Sequence, residues 1–202
     1  DQRAVLRRVG DDRSGQMTDP QASSSAARAP VEVALSLGAN LGERLAALQR
    51  AIDVITADPA VQAVSVSAVY ETDPVGGPEQ PDYLNAVLLI RTTLVPVEVL
   101  ALAHLAEQDL HRTREVRWGA RTLDVDVINY GDIVSDDPAL TLPHPRAAER
   151  AFVLIPLLDA AGDAGLAGIP TPASKLLAAL PTADVAGVRR REDLALTIDT
   201  RA

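Results

Sequence analysis

The chain has no cysteine, and aromatic residues make up only 2% of its 202 residues. Without cysteine there is no disulfide and no thiolate ligand for a metal. Lysine occurs once, at Lys175, so arginine carries nearly all the positive charge and a single arginine says little by itself. A formal net charge of −9 speaks against a general nucleic-acid binder, which is usually basic. No apolar run reaches the roughly 18 residues of a membrane span, and no hydrophobic stretch follows the N-terminal arginines as a secretory signal would require. A soluble, cytoplasmic protein with neither nucleic acid nor membrane as partner is the expectation. The scarcity of rings also requires an aliphatic core. All the aromatics (Tyr70, Tyr83, Trp118, Tyr130 and Phe152) lie in the middle of the chain.

The length suits one domain with a full core. Residues 1–30 are small and polar and read as a disordered tail, within which Met17 could be a natural start or could follow a fusion remnant. Alternating aliphatics predict strands over 31–37, 61–70, 83–94 and 122–131. Helical spacing of Leu45, Leu48, Ile52 and Ile55 predicts a helix after the "GANLG" turn, in which Asn40 is a candidate cap. A second helix follows Pro96, a residue suited to a first helical turn. "ETDPVGGPEQPD" (71–82) is rich in proline and glycine and reads as a long ordered loop. A short helical turn is expected near 147–150 and a last helix over 173–180, with a charged tail from 186 to 202. The domain is thus placed at 31–185. The order β-α-β-β-α-β predicts an α+β, ferredoxin-like antiparallel sheet with helices on one face, the other face being left to loops and ligand, and a C-terminal addition.

In "TLDVDVI" the alternation puts Asp124 and Asp126 on one face and Leu123, Val125 and Val127 on the other. The two Cα atoms would lie roughly 6.5–7 Å apart. Carboxylates that close repel unless a cation sits between them, and an oxygen-only pair suits Mg²⁺, which completes its shell with phosphate and water. Taken alone, such a pair is more often two solvated aspartates on an exposed strand. Just upstream lie Arg112, Arg114, Arg117 and Arg121, with Trp118 and Gly119 among them. Arginine at a helix end complements the dipole, which accounts for Arg112 and Arg114 in an arginine-biased chain. It accounts poorly for "RWGAR", because a tryptophan in a polar loop is costly to expose. A loop that closes over a triphosphate would use several guanidinium forks and one apolar lid residue.

"SLGANLGER", "YETDPVGGPEQPDYLNAV", "RWGARTLDVDVINYG" and "LPHPRAAERAFVLIPL" together resemble the 6-hydroxymethyl-7,8-dihydropterin pyrophosphokinases of folate synthesis, over residues 32–160. The resemblance implies transfer of pyrophosphate from ATP, the co-substrate, to the pterin's hydroxymethyl oxygen. It implies two Mg²⁺ ions held by Asp124 and Asp126, with Arg112, Arg121 and Asp126 at the catalytic centre. ATP contacts would fall on Arg114, Trp118, His144, Arg150, Glu107 and His104, where His104 stands in place of the family's usual Gln. The pterin would be lined by Thr72, Pro74 and Val75, read by Asn85, and sandwiched between Tyr83 and Phe152, although Phe152 equally fits simple core. Asn85 suits this because its amide offers both a donor and an acceptor. Ala39 stands where the family usually has Ser. A monomer is implied, with room for association with neighbouring folate enzymes. The alternative is a ferredoxin-like domain that binds a nucleotide or metabolite without catalysis. A third possibility, an acidic interaction module, leaves "RWGAR" and the proline-rich loop without purpose.

Overall fold

A computed structural model of the chain describes residues 28–74, 80–110, 122–163 and 165–199. The elements run β1 (Val31–Ala39), α1 (Arg44–Thr56), β2 (Val61–Val66), β3 (Tyr70–Thr72), β4 (Tyr83–Thr92), α2 (Pro96–Asp109) and β5 (Asp124–Tyr130). A 3-10 turn at Ala147–Glu149 leads into α3 (Ala151–Ala161), followed by β6 (Gly165–Leu166), β7 (Ile169–Pro172), α4 (Ala173–Ala178), α5 (Thr182–Ala186) and β8 (Val188–Arg190). Among the described residues, one antiparallel sheet has the order β5-β1-β4-β3-β8, with β2 also paired to β4. No helix among them is long and apolar enough to cross a membrane.

Period-two alternation divides the sheet's side chains between two layers. Val33, Leu35 and Leu37 of β1, with Val125 and Val127 of β5, pack on Leu48, Ile52 and Ile55 of α1 and on Val99, Leu102 and Ala106 of α2. Tyr130 closes this layer, fully buried, and its hydroxyl donates to the carbonyl of Leu94. On the opposite face Ala34, Val87, Leu89 and Ile128 pack on Val153 and Leu157 of α3. That face was expected to be left to loops and ligand; α3 covers one end of it. No helix was expected there beyond the turn at 147–150, and α3 carries Pro156 in its middle. Pro156 has no N–H to return to the carbonyl four residues back, and burial of Val153, Leu154 and Leu157 outweighs that loss.

Two further differences concern strands. The single strand expected over 61–70 is broken at 67–69, where the Ser67 hydroxyl takes the N–H of Val87 (2.9 Å) and donates to the carbonyl of Ala68 (2.7 Å). The chain resumes as β3, so the first residues of the expected 71–82 loop belong to the sheet. The segment from 186, expected to be a charged tail, instead supplies β8, paired with β3 through Tyr70–Arg190, Glu71–Arg189 and Thr72–Val188. Without β8, that edge of β3 would leave backbone groups unpaired. Leu194, Leu196 and Ile198 then pack against the α1 layer, and three hydrogen bonds join Thr197 to the Gln49 side chain. The helix expected over 173–180 ends at Ala178, and a further short helix, α5, follows it. Asp163 accepts from both the N–H and the hydroxyl of Ser174 near its start, and those bonds hold the Asp163 carboxyl below its usual range.

Leu157→Ala removes apolar volume from the layer that α3 closes. It is expected to lower the free energy of unfolding in urea by about 2–5 kcal/mol. A loss well under 1 kcal/mol would mean that α3 is not packed as described.

Candidate active site

The register of β1 lays out the open part of the α3 face. On one side Ser36 lies opposite Asp126 and Gly38 opposite Asp124; on the other Ser36 lies opposite Val87 and Gly38 opposite Asn85. Asn85 in turn lies opposite Tyr70 on β3. One row across the sheet therefore reads Asp124, Gly38, Asn85, Tyr70. Two strand spacings separate the carboxylates of β5 from the amide on β4, roughly 10 Å, and between them the floor carries only the small side chains of β1. As the alternation predicted, Asp124 and Asp126 are half-exposed while Val125 and Val127 are buried.

At the β5 end, His144 Nε2 lies 3.9 Å and an Arg150 guanidinium nitrogen 4.0 Å from Asp126 Oδ2. Both are longer than hydrogen bonds, and 37% of the Asp126 side chain is exposed. The His144 N–H donates to the carbonyl of Ile128 (2.8 Å), which pins this loop to β5. Its ring Nδ1 accepts from the N–H of Arg146 (3.2 Å), which leaves Nε2 toward Asp126. Burial pushes the His144 pKa below its ordinary value, more than the neighbouring Asp126 charge raises it. Arg150 stacks over the Phe152 ring at 5.4 Å, a cation–π arrangement. Glu107 is buried on α2 and accepts from the N–H of Val125, the residue between the two aspartates, at 3.1 Å. His104, three residues earlier on α2, is exposed.

At the β4 end Asn85 is only 4% exposed, and its Nδ2 donates to Thr72 Oγ1 at 2.7 Å. Gly38 makes this possible: a Cβ there would come within 2.9 Å of Asn85 Oδ1. Tyr83 is half-buried, shares a face with Asn85, and its hydroxyl reaches Gln80 Oε1 at 3.3 Å. Phe152 is half-buried against the α3 layer, on the same side of the sheet. Pro74, two residues after β3, is half-buried. Asn40 does not cap α1, whose N-cap is Glu43 with no side-chain bond. Its amide donates instead to Gln80 Oε1 (3.0 Å) and the carbonyl of Pro81 (3.1 Å), because β1 runs on through Ala39 and delivers Asn40 beside that loop. Val75, Arg112, Arg114, Trp118 and Arg121 lie outside the described residues.

The fold thus brings Asp124, Asp126, His144 and Arg150 to one end of the floor and Thr72, Tyr83 and Asn85 to the other, with Phe152 under Arg150 on the same side of the sheet. Gly38 was missed because it was read as part of a turn, whereas the turn glycine is Gly42, with φ of 63°. A glycine inside an alternating strand was the available signal, since it marks a close approach. Gly38→Ala should displace the Asn85 amide, and Thr72→Val should leave its buried N–H without an acceptor. Each is expected to cost about 1–3 kcal/mol in urea unfolding; stability unchanged in both would contradict the geometry.

Comparison with known proteins identifies the family. The model of the 7,8-dihydro-6-hydroxymethylpterin-pyrophosphokinase (HPPK) family matches residues 34–162. The 2-amino-4-hydroxy-6-hydroxymethyldihydropteridine pyrophosphokinase of Bacillus subtilis is 43% identical over 125 residues, which span 62% of this chain and 75% of that one. The Pseudomonas aeruginosa protein of the same name is 40% identical over 150 residues, 74% of this chain and 91% of that one. Among solved structures, wild-type Plasmodium falciparum HPPK-DHPS superposes with a TM-score of 0.60 at 12% identity, over 76% of this chain. The match spans only 44% of that longer protein, and at this identity it speaks for the fold alone. Since the family match covers the whole floor from β1 through α3, this chain belongs to the 7,8-dihydro-6-hydroxymethylpterin-pyrophosphokinase family.

Proposed function

We propose that the chain transfers the terminal diphosphate of ATP to the hydroxymethyl oxygen of 6-hydroxymethyl-7,8-dihydropterin, in folate biosynthesis. The acceptor hydroxyl oxygen attacks the β-phosphorus and gives up its proton to water, the bond from that phosphorus to the α-phosphate oxygen breaks, and AMP leaves. One observation carries the reading: a carboxylate pair and a buried amide stand on the same face, about two strand spacings apart, with only Gly38 and Ser36 between. That separation suits a flat heterocycle held at Asn85 and a phosphate chain running toward β5.

Asp124 and Asp126 supply hard oxygens, and no cluster of three or more metal-ligating side chains occurs among the described residues. The donor set fits two Mg²⁺ ions that take most of their shell from phosphate and water. When bound, such ions would neutralise the charge that develops on the transferred group. His144 and Arg150 flank Asp126 and are assigned to the phosphates, with Arg150 braced by Phe152. Glu107, buried under β5, positions the strand that carries both aspartates, and His104 is assigned to the rim of the nucleotide site. Asn85, held by Thr72, reads the pterin edge, with Tyr83 and Phe152 as ring partners and Pro74 and Val75 as lining. Arg112, Arg114, Trp118 and Arg121 are assigned to the triphosphate on the family resemblance.

We also read the strand order β5-β1-β4-β2, with α1 and α2 on one face, as the ferredoxin-like arrangement, and the chain as a monomer. Association with another folate enzyme is in keeping with the Plasmodium falciparum HPPK-DHPS, in which this fold is part of a longer chain.

Incubation with Mg²⁺, ATP and 6-hydroxymethyl-7,8-dihydropterin should yield AMP in a one-to-one ratio with the pterin diphosphate. ADP as the product would refute diphosphate transfer. Asp126→Asn should lower kcat by at least about a hundredfold, in the range of lost electrostatic stabilisation, with the melting temperature little changed.

A further inference from the structure

The carboxyl-terminal strand carries a charge cluster that the reaction itself does not call for. Arg189 donates to Asp73 Oδ1 at 2.7 Å through one terminal nitrogen and to Asp82 Oδ2 at 3.0 Å through the other. The first nitrogen also reaches the carbonyl of Gly187 at 3.4 Å. Asp73 follows Thr72, and Asp82 precedes Tyr83; Thr72 and Tyr83 are register partners on β3 and β4. Arg189 therefore bridges the next residue out on each strand, one step beyond the residues assigned to the pterin ring.

Around this bridge the remaining charges are matched. Arg44, at the start of α1, donates to the carbonyl of Asp82 (2.7 Å) and pairs with Glu71 Oε1 (3.1 Å). Arg191 takes the other oxygen of Glu71 at 3.2 Å and forks onto Asp193 at 2.7 and 2.8 Å. The side-chain bond to Asp73 first, and then the charges of Asp73, Asp82 and Glu71, raise the Arg189 pKa above its ordinary value. An isolated exposed ion pair contributes little to stability. Here one planar guanidinium joins two chain segments, and the fork geometry that does so is specific to arginine.

We propose that Arg189, carried on β8, is a positioning residue for the pterin site. It holds β3 and the start of β4 in the register that sets Thr72 against Asn85 and Tyr83 beside them. It touches neither substrate nor the reacting atoms. Its effect should therefore fall on affinity for the pterin and leave the phosphate end, two strands away, unaffected. The inference rests on the assignment of the Thr72–Tyr83–Asn85 end to the pterin.

The test is steady-state kinetics on the full chain, with each substrate varied in turn. Arg189→Ala is expected to raise the KM for 6-hydroxymethyl-7,8-dihydropterin by about five- to tenfold, equivalent to roughly 1–1.4 kcal/mol, with kcat and the KM for ATP within about twofold of wild type. Arg189→Lys keeps the charge but cannot span both carboxylates with separate nitrogens, so it should recover only part of the loss. Raising the ionic strength toward 0.5 M should raise the pterin KM of the wild type and leave that of Arg189→Ala nearly unchanged, because exposed pairs are screened. An unchanged pterin KM in Arg189→Ala, or a fall in kcat with both KM values moving together, would overturn the proposal. A wild type that turns over while the variant shows no split sinks this inference alone. A wild type that makes no AMP sinks the functional reading and this inference with it.

Discussion

Strand β1 is paired on both edges, to β4 and to β5, and its register is the constraint on which the site depends. A slip of one residue would turn Val33, Leu35 and Leu37 out of the core and exchange the faces of the strand. The burial of those side chains against α1 and α2 is what fixes Gly38 between Asp124 and Asn85. Core packing and site geometry are thus the same fact seen from the two faces of one strand. The half-exposed carboxylates are held where a ligand can reach them because Val125 and Val127, their neighbours in sequence, are buried on the other side.

The second face is divided between structure and chemistry. Toward one end α3 covers Ala34, Leu89 and Ile128, and at its start Arg150, which precedes it, lies over the ring of Phe152. Toward the other end β3 and β8 extend the sheet, so that the residues assigned to the pterin lie inside it and not at an edge. Polar groups buried there are matched: Asn85 by Thr72, the N–H of Val87 by Ser67, and the Tyr70 hydroxyl by Asp159 at 3.2 Å. Unmatched buried polar groups are costly, and the pairings hold these side chains in one arrangement before any ligand arrives.

Much of this was legible in the chain itself. Alternation in "TLDVDVI" placed the two aspartates on one face, and the spacing of Leu48, Ile52 and Ile55 gave α1, because both patterns arise from one-sided burial. Motifs such as "YLNAV" and "HPRAAER" pointed to Asn85, His144 and Arg150 through resemblance. What was hidden depends on contacts distant in sequence. "GVRRRED" reads as a solvated tail until β3 offers it an edge and Glu71, Asp73 and Asp82 offer it partners. Pro156 argues locally against the helix that tertiary burial imposes. Gly38 looks like a turn glycine until the approach of the Asn85 amide is known, and Asn40 looks like a cap until β1 carries it past the helix start.

The most direct test of the layout is a distance measurement. Mn²⁺ in place of Mg²⁺, added with a non-hydrolysable ATP analogue to isotopically labelled protein, broadens the signals of nuclei near the metal. If Asp124 and Asp126 hold the ion, the Gly38 backbone amide and the Asn85 side-chain amide, within about 10 Å across the sheet, should broaden strongly, and Asp124→Asn with Asp126→Asn should abolish the effect. Broadening that spares Gly38 and Asn85, or that persists in the double variant, would contradict the account.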